Sequence, residues 1–241
     1  MFRLQFLSLV VVVLLLAGCC AVPFSTRLAP SGPLVTQDFD LANFSAVAAG
    51  SAFEVEITRS DSYGVSVTVN ESLVESLEVN VSGNTLHIGL KPGFGITGAA
   101  TMNAKVTMPE LTGLDLSGAS RTTLAGFNSD KSVKSEVSGA STLRGDLICG
   151  DASFNVSGAS KVQLEGSAQD LSVEASGAST VDLSNFASQN TVVNASGASQ
   201  VVVAASGSLD VEASGASTVR YAGEPAKLKT NTSGASTVGQ Q

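Results

Sequence analysis

A single histidine, His87, stands among 241 residues, so no site that needs two imidazoles can be built. Tryptophan is absent and aromatics make up 5% of the chain, which removes the stacking platforms that single-stranded nucleic acid requires. Charged residues are scarce as well, at 14%, against ~25% in an average globular domain. Negative charge dominates: 21 Asp and Glu face 13 Lys and Arg, a net of −8. An acidic chain without basic clusters is unsuited to a phosphate backbone, and no nucleic-acid partner is expected. Three cysteines, Cys19, Cys20 and Cys149, cannot form a disulfide framework. Cys149 has no histidine near it and reads as a buried, inert thiol. No stretch after the N-terminus keeps a helical period.

What the chain does have is repetition. The tetrapeptide Ser-Gly-Ala-Ser begins at Ser117, Ser138, Ser157, Ser176, Ser196, Ser214 and Ser233, at spacings of 21, 19, 19, 20, 18 and 19 residues. An alternating run precedes each copy and another follows it, as in Leu171-Ser172-Val173-Glu174-Ala175 and Thr180-Val181-Asp182-Leu183. Alternation of period two marks strands with one buried face. A fixed longer period marks one unit stacked on itself. The expected fold is all-β: a right-handed parallel β-helix, or solenoid, with ~19-residue coils and Ser-Gly-Ala-Ser corners. No single coil buries enough apolar surface to stand alone, so the array must fold as a unit.

Aligned on the first Ser, three inward columns appear. One residue before it come Leu116, Val137, Val156, Ala175, Ala195, Ala213 and Thr232. The columns three before and five after start with Leu114 and Thr122 and are mostly Val. The constant Gly is expected to need positive φ. The constant Ala, from Ala119 to Ala235, is expected to turn inward at a corner with room for one methyl. Ahead of the repeats, Phe53, Val55 and Ile57 alternate, as do Val65 to Val69, Leu77 to Val81 and Met102 to Met108. His87 sits in such a run and reads as a solvent-facing strand residue.

The N-terminus reads as a targeting segment. Arg3 precedes a nearly uninterrupted apolar run from Leu7 to Ala17, too short and too N-terminal for a membrane span. It ends in Leu16-Ala17-Gly18-Cys19, which resembles the lipobox of bacterial lipoproteins. That resemblance implies cleavage before Cys19 and acyl chains on its thiol. Cys20 rather than Asp follows it, which by the enterobacterial sorting rule points to the outer membrane. Residues 1–18 are thus expected to be a signal peptide, and 19–40 a lipidated cysteine with a tether rich in Pro23, Pro30 and Pro33. Residues 41–241 form one solenoid domain, irregular over 41–113 and regular over 114–241.

The strand at Gly50 to Ile57, the Val-Thr-Met-Pro segment at Val106 to Pro109, and the train of Ser-Gly-Ala-Ser corners resemble the putative auto-transporter adhesin, head GIN domain family. The resemblance covers roughly Phe44 to Val238. It implies a β-helix shaped like pectin lyases but without their catalytic residues, and an exported, often lipid-anchored protein of adhesin-like role.

One outward column carries chemistry. Two residues before each repeat origin stand Asp115, Glu136, Asn155, Glu174, Asn194, Glu212 and Asn231. Adjacent unit charges one strand apart repel by about 0.9 kcal/mol in water. Interleaved Asn separates the carboxylates and offers amide donors to them, so the column reads first as a structural ladder. The other reading is a shallow contact for a cation or glycan. No cofactor, metal site or catalytic residue is implied. The leading expectation is a non-enzymatic, lipid-anchored envelope protein whose partners are the membrane, through its lipid, and a surface glycan or envelope protein. The alternative is a carbohydrate-binding or carbohydrate-active β-helix. It would need carboxylates and a basic residue converging in one groove.

Overall fold

The computed structural model describes residues 26–241. The expected signal peptide and Cys19 lie outside the described residues. Short strands β1 (Thr26–Leu28) and β2 (Leu34–Phe39) open the chain. They are followed by β3 (Ala46–Ala49), β4 (Glu54–Arg59) and β5 (Gly64–Asn70), then a 3-10 helix at Glu71–Ser76. Strands β6 (Leu77–Ser82) and β7 (Thr85–Leu90) form a hairpin about Gly83, whose φ is +62°. Next come β8 (Phe94–Ile96), β9 (Met102–Met108), β10 (Gly113–Leu116) and β11 (Arg121–Asn128). The regular coils continue through β12 (Val133–Val137), β13 (Thr142–Ile148), β14 (Asp151–Val156), β15 (Lys161–Ala175), β16 (Thr180–Ala195) and β17 (Gln200–Ala213). The chain finishes with β18 (Thr218–Ala222), β19 (Lys227–Thr232) and β20 (Thr237–Gln240). Among the described residues no helix is long and apolar enough to cross a membrane.

The repeats stack as parallel coils. One sheet face runs β7-β3-β10-β12-β14-β15 and on through β16 and β17 to β19. The other runs β9-β4-β11-β13-β15, then β16, β17, β18 and β20. The inward columns fill the space between them: Val137, Val156, Val173, Val193 and Val211 are fully buried. Phe154 and Phe186 meet edge to face at 6.1 Å inside this core.

The irregular half does not stack in chain order, a point the sequence left open. The coil of β3 and β4 is sandwiched between a later coil, β7 and β9, and the first regular coil, β10 and β11. Strand β6 pairs antiparallel with β7, and β5 antiparallel with both β9 and β2. A parallel stack leaves a row of unpaired N–H and C=O groups at its end, and these antiparallel strands cover that edge. Two expectations need correction. First, the Pro-rich stretch is not a free tether throughout. From Thr26 it is structured: β1 pairs with β8, and β2 lies against β5 with Val35 opposite Val69.

Second, the corner alanines point outward. Ala119, Ala140, Ala159, Ala178, Ala198 and Ala216 are exposed, whereas Ser120, Ser141, Ser160, Ser179, Ser199 and Ser217 are buried. The two-residue turn shifts the in–out phase, so the fourth tetrapeptide position faces the core. Its hydroxyl needs an acceptor there, and Ser217 donates to the Ala195 and Ser214 carbonyls at 3.3 and 2.9 Å. The glycines do what was expected, with φ between 61° and 74° in all seven copies. The turns also stack on one another: Ala178 N–H donates to the Gly158 carbonyl at 2.8 Å, and Ala198 N–H to that of Gly177 at 2.8 Å.

Candidate functional site

The outward column forms a continuous row. Strand register sets Asp115 beside Glu136, then Asn155, Glu174, Asn194, Glu212 and Asn231 in turn. Each of these residues is exposed, because each lies between two inward-facing residues of its strand. The fixed coil period makes this alignment possible: every coil returns to the same phase at the same offset from its corner.

The row extends further than the repeats. Asp115 is level with Ala48, Ala48 with His87, and His87 with Asn80. Ten strands therefore contribute to one row, about 43 Å long at ordinary strand spacing. Sequence reasoning placed His87 on an outer face but not in this row, since β7 stacks out of chain order. Its only cue was the outward phase of His87 within Leu86-His87-Ile88.

Beside the row lies a shallow groove, bounded on its far side by the first Ser of each corner. One stretch, of about 490 Å³, runs from Asn155 to Asn231 and is lined by Glu174, Asn194, Glu212, Ser176, Ser196 and Ser214 among others. A second stretch, of about 530 Å³, contains Asp115, His87, Glu78, Asn80 and Ser117. Between them in the row stands Glu136, held by Lys134 at 2.7 Å. That contact raises the Lys134 pKa, through its hydrogen bond to Glu136 and the charge beside it. Asp115 is pushed above the usual carboxylate range by burial first and by the charge of Glu136 second, while His87 pulls it back.

The expected amide-to-carboxylate bonds within the row are not made. Among the described residues, Asn155, Asn194 and Asn231 form no side-chain hydrogen bond, and neither do the carboxylates of Glu174 and Glu212. Such pairing occurs instead on a neighbouring outer row, where Asn190 donates to Asp170 at 2.8 Å and Ser208 to Asn190 at 2.9 Å. The groove thus presents amides, carboxylates and hydroxyls that the protein does not use itself. No Lys, Arg or His lines its Asn155-to-Asn231 stretch. Among the described residues no group of three His, Cys, Asp or Glu is arranged to hold a metal. Cys149 is buried, and burial followed by the charge of Asp151 pushes its thiol up to about 11.

Comparison with known proteins agrees with this architecture. The family model described as "Putative auto-transporter adhesin, head GIN domain" matches residues 43–225. No curated protein matches the sequence. Among solved structures, a putative adhesin from Bacteroides fragilis is 21% identical, with a TM-score of 0.84 over 89% of this chain and 100% of its own. A putative lipid binding protein from Parabacteroides distasonis is 18% identical, with a TM-score of 0.69 over 90% and 100% of the two chains. A putative adhesin from Parabacteroides merdae is also 18% identical, with a TM-score of 0.67 over 89% and 99%. At such identities these likenesses establish the fold.

Proposed function

The chain belongs to the auto-transporter adhesin head GIN domain family, and from that premise we propose that it is a non-enzymatic, lipid-anchored protein of the bacterial outer membrane that uses the long groove for adhesion. One observation carries the reading. The groove repeats the same unpaired amide, carboxylate and hydroxyl groups at strand spacing along Asn155 to Asn231. Such groups, regularly spaced and already exposed, suit a polymer of hydroxyl-bearing units, so a surface glycan is the proposed partner. Each contact is weak in water, but contacts repeated along one rigid face add up by multivalency. The family's adhesin description and the adhesins among its solved relatives support an envelope location. The anchor rests on Leu16-Ala17-Gly18-Cys19.

The test uses cells that produce the full chain. Changing Glu174, Asn194 and Glu212 together to Ala should reduce attachment of the cells to glycan-coated surfaces at least severalfold, with the amount of protein unchanged. Cys19→Ser should leave the protein unacylated and redistribute it on fractionation. Attachment that survives the triple change would overturn the groove as the adhesive face. Release of shortened glycan by the purified protein would replace adhesion with the carbohydrate-active alternative.

A further inference from the structure

A further cavity, of about 670 Å³, opens across the first corner from the groove, where β1 and β8 flank that corner, and shares Ser51 and Leu90 with the groove's second stretch. That volume falls in the range of small-molecule sites. Its walls combine two features. The first is apolar surface: Phe94 and Ile96 are partly buried on β8, and Leu90 and Met102 form deeper wall. The second is a pair of arginines, Arg27 and Arg121, both exposed.

Among the described residues neither arginine has a side-chain partner. The ion pairs among the described residues engage Arg59, Lys105, Lys131, Lys134 and Lys229, and neither Arg27 nor Arg121 makes a side-chain hydrogen bond. Arg27 is level with Gly95, so no side chain from β8 covers it. Arg121 is flanked in register by Glu54 and Thr142, and Glu54 does not pair with it. Two unpaired guanidiniums at one cavity stand out on a chain of net charge −8.

The backbone is also unusual here. Among the described residues four non-glycine residues have positive φ, and three of them cluster at this cavity: Ser51 at 54°, Ala52 at 63° and Ala119 at 71°. Ser51 and Ala52 line it, and Ala119 follows the lining residue Gly118. In the later corners only the Gly is left-handed; in this first one both Gly118 and Ala119 are. Side chains resist this conformation, and it persists where the surroundings impose it, which is common at binding sites.

We propose that this cavity binds an anionic amphiphile. Its carboxylate or phosphate head is held by Arg27 and Arg121, and its alkyl chain lies along Phe94, Ile96 and Met102. Guanidinium forks match the planar or tetrahedral oxygens of such heads, and the apolar wall provides for the tail what it cannot provide for a free anion. The cavity adjoins the groove at Ser51 and Leu90, but Arg27, Arg121, Phe94 and Ile96 belong to the cavity, so the inference does not rest on the adhesive reading.

The experiment is calorimetric titration of the purified chain with dodecanoate below its micellar concentration. The comparison ligands are acetate, which has the head alone, and methyl dodecanoate, which has the tail without the charge. Dodecanoate should bind at least ~10-fold tighter than either. Arg27→Gln and Arg121→Gln together should weaken it ~10-fold or more, as expected for lost charge-assisted bonds. Phe94→Ser should weaken dodecanoate and leave acetate unchanged, whereas Arg59→Gln, at an arginine already paired with Asp61, should change nothing. Equal binding of dodecanoate and its methyl ester would overturn the role of the arginines. Equal binding of acetate and dodecanoate would reduce the site to a free-anion site and overturn the amphiphile. Arginine-dependent binding to phosphatidylglycerol vesicles, with no binding of dodecanoate, would assign the arginines to a membrane surface and overturn the cavity.

Discussion

Replacing Asn155 and Asn194 with Asp turns the interleaved row into five consecutive acids, from Glu136 to Glu212. Four like-charge contacts arise that the parent lacks. At strand spacing each costs about 0.9 kcal/mol in water, less where the side chains splay apart. The contact with Glu136 is discounted further, because Lys134 already holds that carboxylate at 2.7 Å. The sum is ~2–3 kcal/mol at low ionic strength. For a domain of this size that lowers the melting temperature by roughly 4–12 °C. Molar salt shortens the screening length to about 3 Å and should restore most of the loss. The parent contains a small version of this experiment: Asp115 and Glu136 are adjacent in the row, and the charge of Glu136 is one of the causes that raise the Asp115 pKa. The assay is thermal melting of parent and variant at low salt, at high salt, and with millimolar calcium. A variant that melts with the parent at low salt would refute the argument, because carboxylates in this register cannot avoid one another. Stabilisation of both proteins by calcium, and more of the variant, would turn the row into a cation site.

Other outcomes follow from the same geometry. Gly177→Ala should destabilise by more than the ~1–2 kcal/mol of left-handed strain, because its Cβ would lie 2.6 Å from the Gly158 carbonyl. Gly83→Ala, at φ +62° with nothing within 4 Å, should cost the strain alone, and chemical denaturation of the two variants measures the difference. Deleting Gly197 to Ser214 removes one whole 18-residue coil and joins Ser196 to Gly215 in phase, so the product should still melt cooperatively as a β protein; deleting only the ten residues from Gly197 to Ser206 should destroy the β signal in circular dichroism. Asp115→Asn should raise the melting temperature at neutral pH. The folded-state pKa of Asp115 is raised, so its protonated form is the one favoured by folding. The gain should therefore fade as pH falls through the raised pKa and vanish below the ordinary value near 3.8.

How far the sequence can be read depends on the period. From Leu114 onward the corner spacing fixes register, so the inward columns and the whole row from Asp115 to Asn231 follow from alignment alone. Before Leu114 there is no period, and alternation identifies strands without saying which strand lies beside which. Leu86 and Ile88 could be assigned to a core, but not to one beneath Val47 and Ala49. Membership of His87 in the row depended on that missing order. The corner failed for a more local reason. Invariance marks Ala119 and its equivalents as constrained without telling inside from outside, and a two-residue turn between strands resets the phase. Nothing in the composition of the corner marks the fourth Ser as inward, and the carbonyls that Ser120, Ser199 and Ser217 reach at Ala49, Ala175 and Ala195 belong to the backbone of other coils. The cavity with Arg27 and Arg121 was hidden completely, since its parts are 94 positions apart in a chain whose strand β1 reads as Pro-rich spacer.

The two ends of the solenoid differ in a way that bears on its use. One edge is sealed by antiparallel β5 and β6, whereas β19 is exposed along its whole length. From Glu136 to Glu212 each coil adds the same kind of increment: inward side chains, one stacked corner, one exposed Glu or Asn, and one Ser beside the row. Stability and contact surface therefore grow by the same step. Charge is the term that would not scale, since a row of carboxylates alone accumulates repulsion with each coil. Alternating Glu with Asn removes the nearest-neighbour penalty while keeping an acceptor-rich row at every level. Catalysis needs one constellation of groups, which repetition by itself does not supply. A surface that must meet a repeating polymer gains with every coil, and that is the physical reason for reading this groove as adhesive.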